Sequence, residues 1–178
     1  MNDVDRQLFL EGLQESRESF LSSLSGVSDA EAVWKPAEDR WSILECAEHV
    51  AAVEGGMLRL IGKGVPLDAA VPHDPSREEN IRKNAANRSR PLAAPELAHP
   101  RGRFVALSDA VEQFTKRREE STRYVESCSD DLRRLAVLHP VFGEITCHEC
   151  LWLLIGHPAR HAEQIREIRA LARVEQRP

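Results

Sequence analysis

Six of the chain's ten prolines (Pro66, Pro72, Pro75, Pro91, Pro95 and Pro100) fall within residues 64–102, between two stretches of helical periodicity. Helices that neighbour each other in a bundle are usually joined by roughly 2–8 residues. A connection this long fits a crossover. If the helices on either side of it run parallel, the chain must return about 30 Å before starting again. The competing reading is a linker between two subdomains, but neither half alone has enough helix to close a core. A short helix between Ser76 and Asn87, with Ser76-Arg77-Glu78-Glu79 as its capping box, is compatible with the crossover.

Four helical patterns surround this connection. The first covers residues 3–24, with Phe9, Leu13, Phe20 and Leu24 on one stripe, and Ser25-Gly26 ends it. Residues 27–41 read as a connector containing Trp34, Pro36 and Trp41. The second helix starts after Ser42, because Ser42-Ile43-Leu44-Glu45 is a capping box, and it runs to about Gly62. Gly55-Gly56 inside it costs about 2 kcal/mol relative to two alanines, which close backbone packing would justify. The third covers about 104–128, with Leu107, Val111, Phe114, Arg118, Thr122 and Val125 on its stripe. After a turn at Asp130–Leu135 and a loop at His139–Gly143, a second box, Thr146-Cys147-His148-Glu149, opens the fourth helix. Its buried stripe is Cys150, Leu154, His157, His161, Ile165, Ile168 and Leu171.

His157 and His161, four residues apart, lie about 40° apart around a helix and about 6 Å along it, so both imidazoles can reach one ion. In isolation such a pair is as consistent with coincidence, or with hydrogen-bonded core histidines. His49 adds a third inward imidazole, one turn after Cys46 on the second helix. If the second and fourth helices are antiparallel neighbours, the three converge inside the bundle. Three neutral imidazoles on a divalent ion leave a position open, as in catalytic sites. Arg118 and Cys46 are candidate wall residues. For Arg118 the alternatives are binding an anionic group and pairing with a carboxylate. His73, His99, His139 and His148 fall in loops or on a first turn with no evident partner, and Glu45 is a cap first.

At 178 residues the expectation is one domain spanning 1–178. A net charge of −5 argues against sequence-independent nucleic-acid binding. No apolar run approaches a membrane span, and the acidic N-terminal residues do not resemble a signal peptide. The expected location is therefore cytoplasmic, with Cys46, Cys128, Cys147 and Cys150 as reduced thiols. Cys147-His148-Glu149-Cys150 contains a CxxC, but a zinc ribbon needs a second pair. There is no phosphate loop and no GxSxG.

Two segments carry a family resemblance. Trp34-Lys35-Pro36, then Arg40-Trp41-Ser42-Ile43-Leu44-Glu45 leading into His49, resembles the N-terminal signature of the DinB-like superfamily (DinB/YfiT-type), which includes bacillithiol S-transferase-like proteins. His139–Thr146, leading into His157-Pro158-Ala159-Arg160-His161-Ala162-Glu163-Gln164-Ile165, resembles its C-terminal signature. The order of elements covers nearly the whole chain, with the crossover matching only in length. The resemblance implies an all-α, up-down-down-up four-helix bundle, often dimeric, with a metal site at His49, His157 and His161. Pro158 removes one amide from the fourth helix between the two histidines. The function so implied is that of a metal-dependent enzyme acting on a small molecule, either transferring a low-molecular-weight thiol to an electrophile or hydrolysing its substrate. The alternative is a non-catalytic metal-binding stress-response bundle. Zinc, nickel and iron all suit histidine ligands.

Overall fold

The computed structural model describes residues 1–67, 74–89 and 94–175. Its helices are α1 (Asp3–Leu24), α2 (Asp29–Val33), α3 (Ile43–Ile61), α4 (Pro75–Ala86), α5 (Leu107–Ser127) and α6 (Cys147–Glu175); its strands are β1 (Val65–Pro66), β2 (Leu135–His139) and β3 (Gly143–Thr146).

Three of the four long helices start on a side chain that takes up amides left open in the first turn. Asn2 accepts from Asp5 N at 2.8 Å. Ser42 and Glu45 close the expected box at 3.2 and 2.8 Å, and Thr146 and Glu149 repeat it at 3.1 and 2.9 Å. Ser42→Ala and Thr146→Ala should each cost about 1 kcal/mol. Denaturant melts would register this as a lower midpoint at constant slope; unchanged midpoints in both variants would mean that the caps contribute nothing.

The chain departs from an all-α fold at one place. β1, β2 and β3 form a small antiparallel sheet in that order, with Val65 opposite Ala136 and Val137 opposite Ile145. The turn and the loop are where they were expected, but the residues on either side of the loop pair as the strands of a hairpin. Leu135–His139 is too short for periodicity to announce it, yet Gly143 supplies the positive φ, 71°, that the tight turn needs. His139 Nδ1 accepts from the amides of Val141 and Phe142. Pro66, lacking an amide proton, fits the sheet's edge. Two smaller corrections concern helix starts. α4 is capped by Asp74, which accepts from Ser76 N and Arg77 N, and not by Ser76. The connector at 27–41 contains α2, one turn capped by Ser28. His73, Pro72 and Pro91 lie outside the described residues.

The four long helices pack through specific pairs. Phe9 of α1 lies against Trp152 of α6 with ring centroids 4.8 Å apart, and at the other end Arg169 of α6 donates to Ser23 O. Arg6 donates to the carbonyls of Glu126 and Cys128 at the end of α5. Glu48, early in α3, accepts from the amides of Arg101 and Arg103 ahead of α5, and Glu54 meets Arg118 further along. Cys147 at the start of α6 reaches Ile61 O at the end of α3.

Two apolar clusters result. One gathers Phe9, Leu13, Ile61, Val125, Cys147 and Cys150–Ile155; the other Phe20, Ile43, Val50, Phe114, Ala162 and Ile165. Between them every long helix contributes polar groups: Ser16 on α1, Glu54 on α3, Arg118 and Ser121 on α5, and His157 on α6. α6 runs unbroken through Pro158.

Glycines set two close approaches. A Cβ on Gly55 would stand 3.0 Å from Arg117 Nε, whereas one on Gly56 would meet no backbone of a neighbour; a Cβ on Gly156 would stand 2.5 Å from Ala85 Cβ, so α4 can lie on α6 only where α6 has no side chain. Among the described residues, no helix is long and apolar enough to cross a membrane.

Candidate metal centre

The two capping boxes place the histidines. Ser42 starts α3 so that His49 falls on its inner face, beside Cys46 and Val50. Thr146 starts α6 so that His157 and His161 face His49 of α3. His49 and His161 are buried, at 4% and 6% exposure, and His157 is half-buried. One ring nitrogen from each lies within 4.8 Å of the other two. His49 Nε2 and His157 Nε2 are 3.0 Å apart, and the ring centroids of the three pairs are 4.5–4.9 Å apart.

The surroundings orient two of these rings. His49 Nδ1 lies 2.6 Å from Ala98 O. A carbonyl can only accept, so Nδ1 carries the proton and the lone pair is on Nε2, facing His157. His161 Nδ1 lies 2.9 Å from Gln164 Oε1, which leaves Nε2 for the centre of the triad. Glu48, buried beside His49, holds the Ala98 segment in place through the amides of Arg101 and Arg103 at 2.7 and 3.0 Å. Trp41 covers the outer side: its ring is 4.8 Å from His49 and stacks on His161 at 6.3 Å.

Burial holds all three imidazoles below their ordinary pKa, His157 and His161 well below it, with the neighbouring histidines adding to the effect. They are therefore neutral near pH 7, the form that ligates metal. Inward lone pairs at such short separations repel one another unless a proton or a cation lies between them. This donor set suits a divalent ion of the zinc, nickel or iron kind.

Arg118 and Cys46 are placed differently from the expected wall. The Arg118 guanidinium is buried: Nη2 donates to Glu54 at 2.9 Å, Nε lies in ion-pair contact with the same carboxylate at 2.8 Å, and Nη1 donates to Leu13 O and Ser16 Oγ at 2.7 Å each. Its partner is a carboxylate, the second of the two alternatives. Cys46 is wholly enclosed among Phe20, Ile43 and Ala47, and burial pushes its thiol up to about 12. Cys147 and Cys150 are likewise buried, free thiols in the core. A groove of about 390 Å³ lies between α4 and the hairpin, lined by Arg77, Asn80, Phe142 and Leu153, with none of the three histidines in its wall.

Sequence reasoning missed several neighbours. Gln164 sits three residues after His161, a spacing that brings side chains together on a helix. Trp41 stood in the connector and in the N-terminal signature without a role beside the histidines, and the Ala98 carbonyl left no sequence signal at all. His148, read as unpartnered, is buried with its nitrogens 3.2 Å from Glu78 and 3.7 Å from Asp5.

Residues 13–165 match the family model of the DinB superfamily. The chain belongs to the DinB superfamily. A relative in Bacillus subtilis (strain 168), the uncharacterised protein YuaE, is 26% identical over 155 residues, covering 87% of this chain and 93% of YuaE. Among solved structures, the fold matches YfiT of Bacillus subtilis with a TM-score of 0.62 at 14% identity, over 96% of this chain and 89% of YfiT. YfiT is described as a probable metal-dependent hydrolase with an unusual four-helix bundle topology. At that identity the match speaks for the fold: this DinB chain is a mostly helical bundle of the YfiT kind.

Proposed function

We propose that this protein binds one divalent metal ion through His49, His157 and His161 and is a metal-dependent enzyme acting on a small molecule. The observation that carries the reading is the mutual approach of the three imidazole nitrogens, all within 4.8 Å, with two rings held so that their lone pairs face inward. The description of YfiT as a probable metal-dependent hydrolase supports it. A bound ion would supply Lewis-acid activation of a water or a thiol. The chain's own residues hold the ligands: the Ala98 carbonyl and Gln164 orient two imidazoles, and Trp41 shields them.

Hydrolysis and transfer of a low-molecular-weight thiol are the two reactions within this reading. An up-down-down-up helix order belongs to it as well, supported by the pairing of the start of α1 with the end of α5 and of the start of α6 with the end of α3. So do a single domain, a homodimeric working form and a cytoplasmic location, the last in keeping with four free thiols.

The test is metal analysis of protein purified without an affinity tag, followed by assays with the bound metal. One equivalent of a divalent ion is expected, together with either metal-dependent transfer of a thiol to monochlorobimane or turnover of a hydrolase substrate panel. Protein that neither retains nor takes up zinc, nickel or iron overturns the reading. Tight binding without turnover would favour the non-catalytic bundle.

A further inference from the structure

Gln164 Oε1 has two neighbours, His161 Nδ1 at 2.9 Å and Arg88 Nη1 at 3.1 Å. Arg88 belongs to the short segment after α4 and is anchored beside α6 by Glu167, which accepts from Nε and Nη2 at 3.1 and 2.8 Å. Arg160 holds the same segment by donating to Asn87 O.

An amide side chain can turn either end towards an imidazole. Turned one way it accepts from an N–H; turned the other it donates to a lone pair. An arginine has only donors, so whichever end of Gln164 faces Arg88 must be the oxygen. The same oxygen faces His161, and Nδ1 must then be the donor.

We propose that Arg88 and Gln164 act in series as positioning residues, locking His161 in its Nδ1–H tautomer so that Nε2 offers its lone pair to the centre of the triad. The proposal rests on the metal-binding reading for its purpose, but its structural content is testable without metal. The short segment just after α4 thereby gains a role, since its Arg88 sets the state of an imidazole on α6. Hydrogen bonds behind metal-ligating histidines are generally worth roughly 10–100-fold in affinity.

The experiment uses the full chain, with nitrogen-15 NMR of the histidine rings in metal-free protein and cobalt(II) titration followed by its visible spectrum. In the unaltered protein His161 should be the Nδ1–H tautomer. Gln164→Leu should release it towards the Nε2–H form and weaken cobalt binding by about 10–100-fold. Arg88→Met should give a mixture of tautomers with a smaller loss, because the amide is then free to turn. Gln164→Glu keeps an acceptor and should restore both tautomer and affinity. Glu167→Gln disturbs the anchoring of Arg88 but not the shared oxygen, and should leave the tautomer unchanged. An Nε2–H tautomer in the unaltered protein, or an unchanged one in both Gln164→Leu and Arg88→Met, overturns the proposal. If the tautomers behave as stated but the unaltered protein takes up no cobalt, the metal-binding reading fails and the positioning chain stands.

Discussion

Replacing His157 by alanine is expected to remove the protein's response to divalent metal. His157 approaches both other imidazoles: its Nε2 is 3.0 Å from His49 Nε2, and its ring centroid is 4.5 Å from that of His161. Without it, two imidazoles remain, one on each of two helices, and a coordination sphere that needs three protein ligands is left with two. An ion that binds only the folded form stabilises it by about 2.7 kcal/mol when its free concentration is 100 times Kd. For a chain of 178 residues each kcal/mol moves Tm by roughly 2–4 °C. Zinc should therefore raise the Tm of the unaltered protein by several degrees and leave that of His157→Ala where it was. In metal-free buffer the variant should melt close to the unaltered protein, because His157 is half-buried and loses no carboxylate partner. A variant that keeps the full zinc-dependent shift would remove His157 from the site.

The parts of this molecule legible in the sequence are those written in short-range chemistry. Both capping boxes are visible as serine or threonine three residues before glutamate, and both form. Because they fix where α3 and α6 begin, they also fix which way His49, His157 and His161 face. The stripe on α1 was equally clear, since Phe9, Leu13 and Phe20 repeat at helical spacing over a long element.

What escaped the sequence was set by tertiary partners. The hairpin of β2 and β3 is only a few residues per strand, so its alternation is no stronger than that of a loop. Asp74 outcompeted Ser76 as the cap of α4 because Pro75 fits the first helical position, where its missing amide costs nothing. Gly55 made sense only once Arg117 lay against it. The Ala98 carbonyl that orients His49 comes from the far side of the crossover, and a backbone oxygen has no sequence signature.

Arg118→Ala should be strongly destabilising, by about 3–5 kcal/mol, because it strands the buried Glu54 carboxylate. Glu54 and Arg118 are both almost fully enclosed, at 2% and 1% exposure. Burial raises the Glu54 pKa above the ordinary carboxyl value, while the Arg118 charge and hydrogen bonds and the Ser121 hydroxyl hold it down. A raised pKa in the folded state means that the group's contribution is complete in acid and is lost as pH rises through that pKa. Removing Arg118 removes the largest opposing influence, so the Glu54 pKa climbs further and its ionised form becomes costlier. The stability gap between Arg118→Ala and the unaltered protein should therefore be widest at neutral pH and narrow as pH falls and Glu54 takes up its proton. Replacing both partners, as Arg118→Met with Glu54→Leu, should recover most of the loss, since a buried pair exchanged for apolar groups of similar volume is often neutral. Denaturant melts of the three proteins at neutral and mildly acid pH would check both statements. A gap that stays constant with pH, together with a double variant no better than the single one, would mean that the Glu54 charge does not set the cost of losing Arg118.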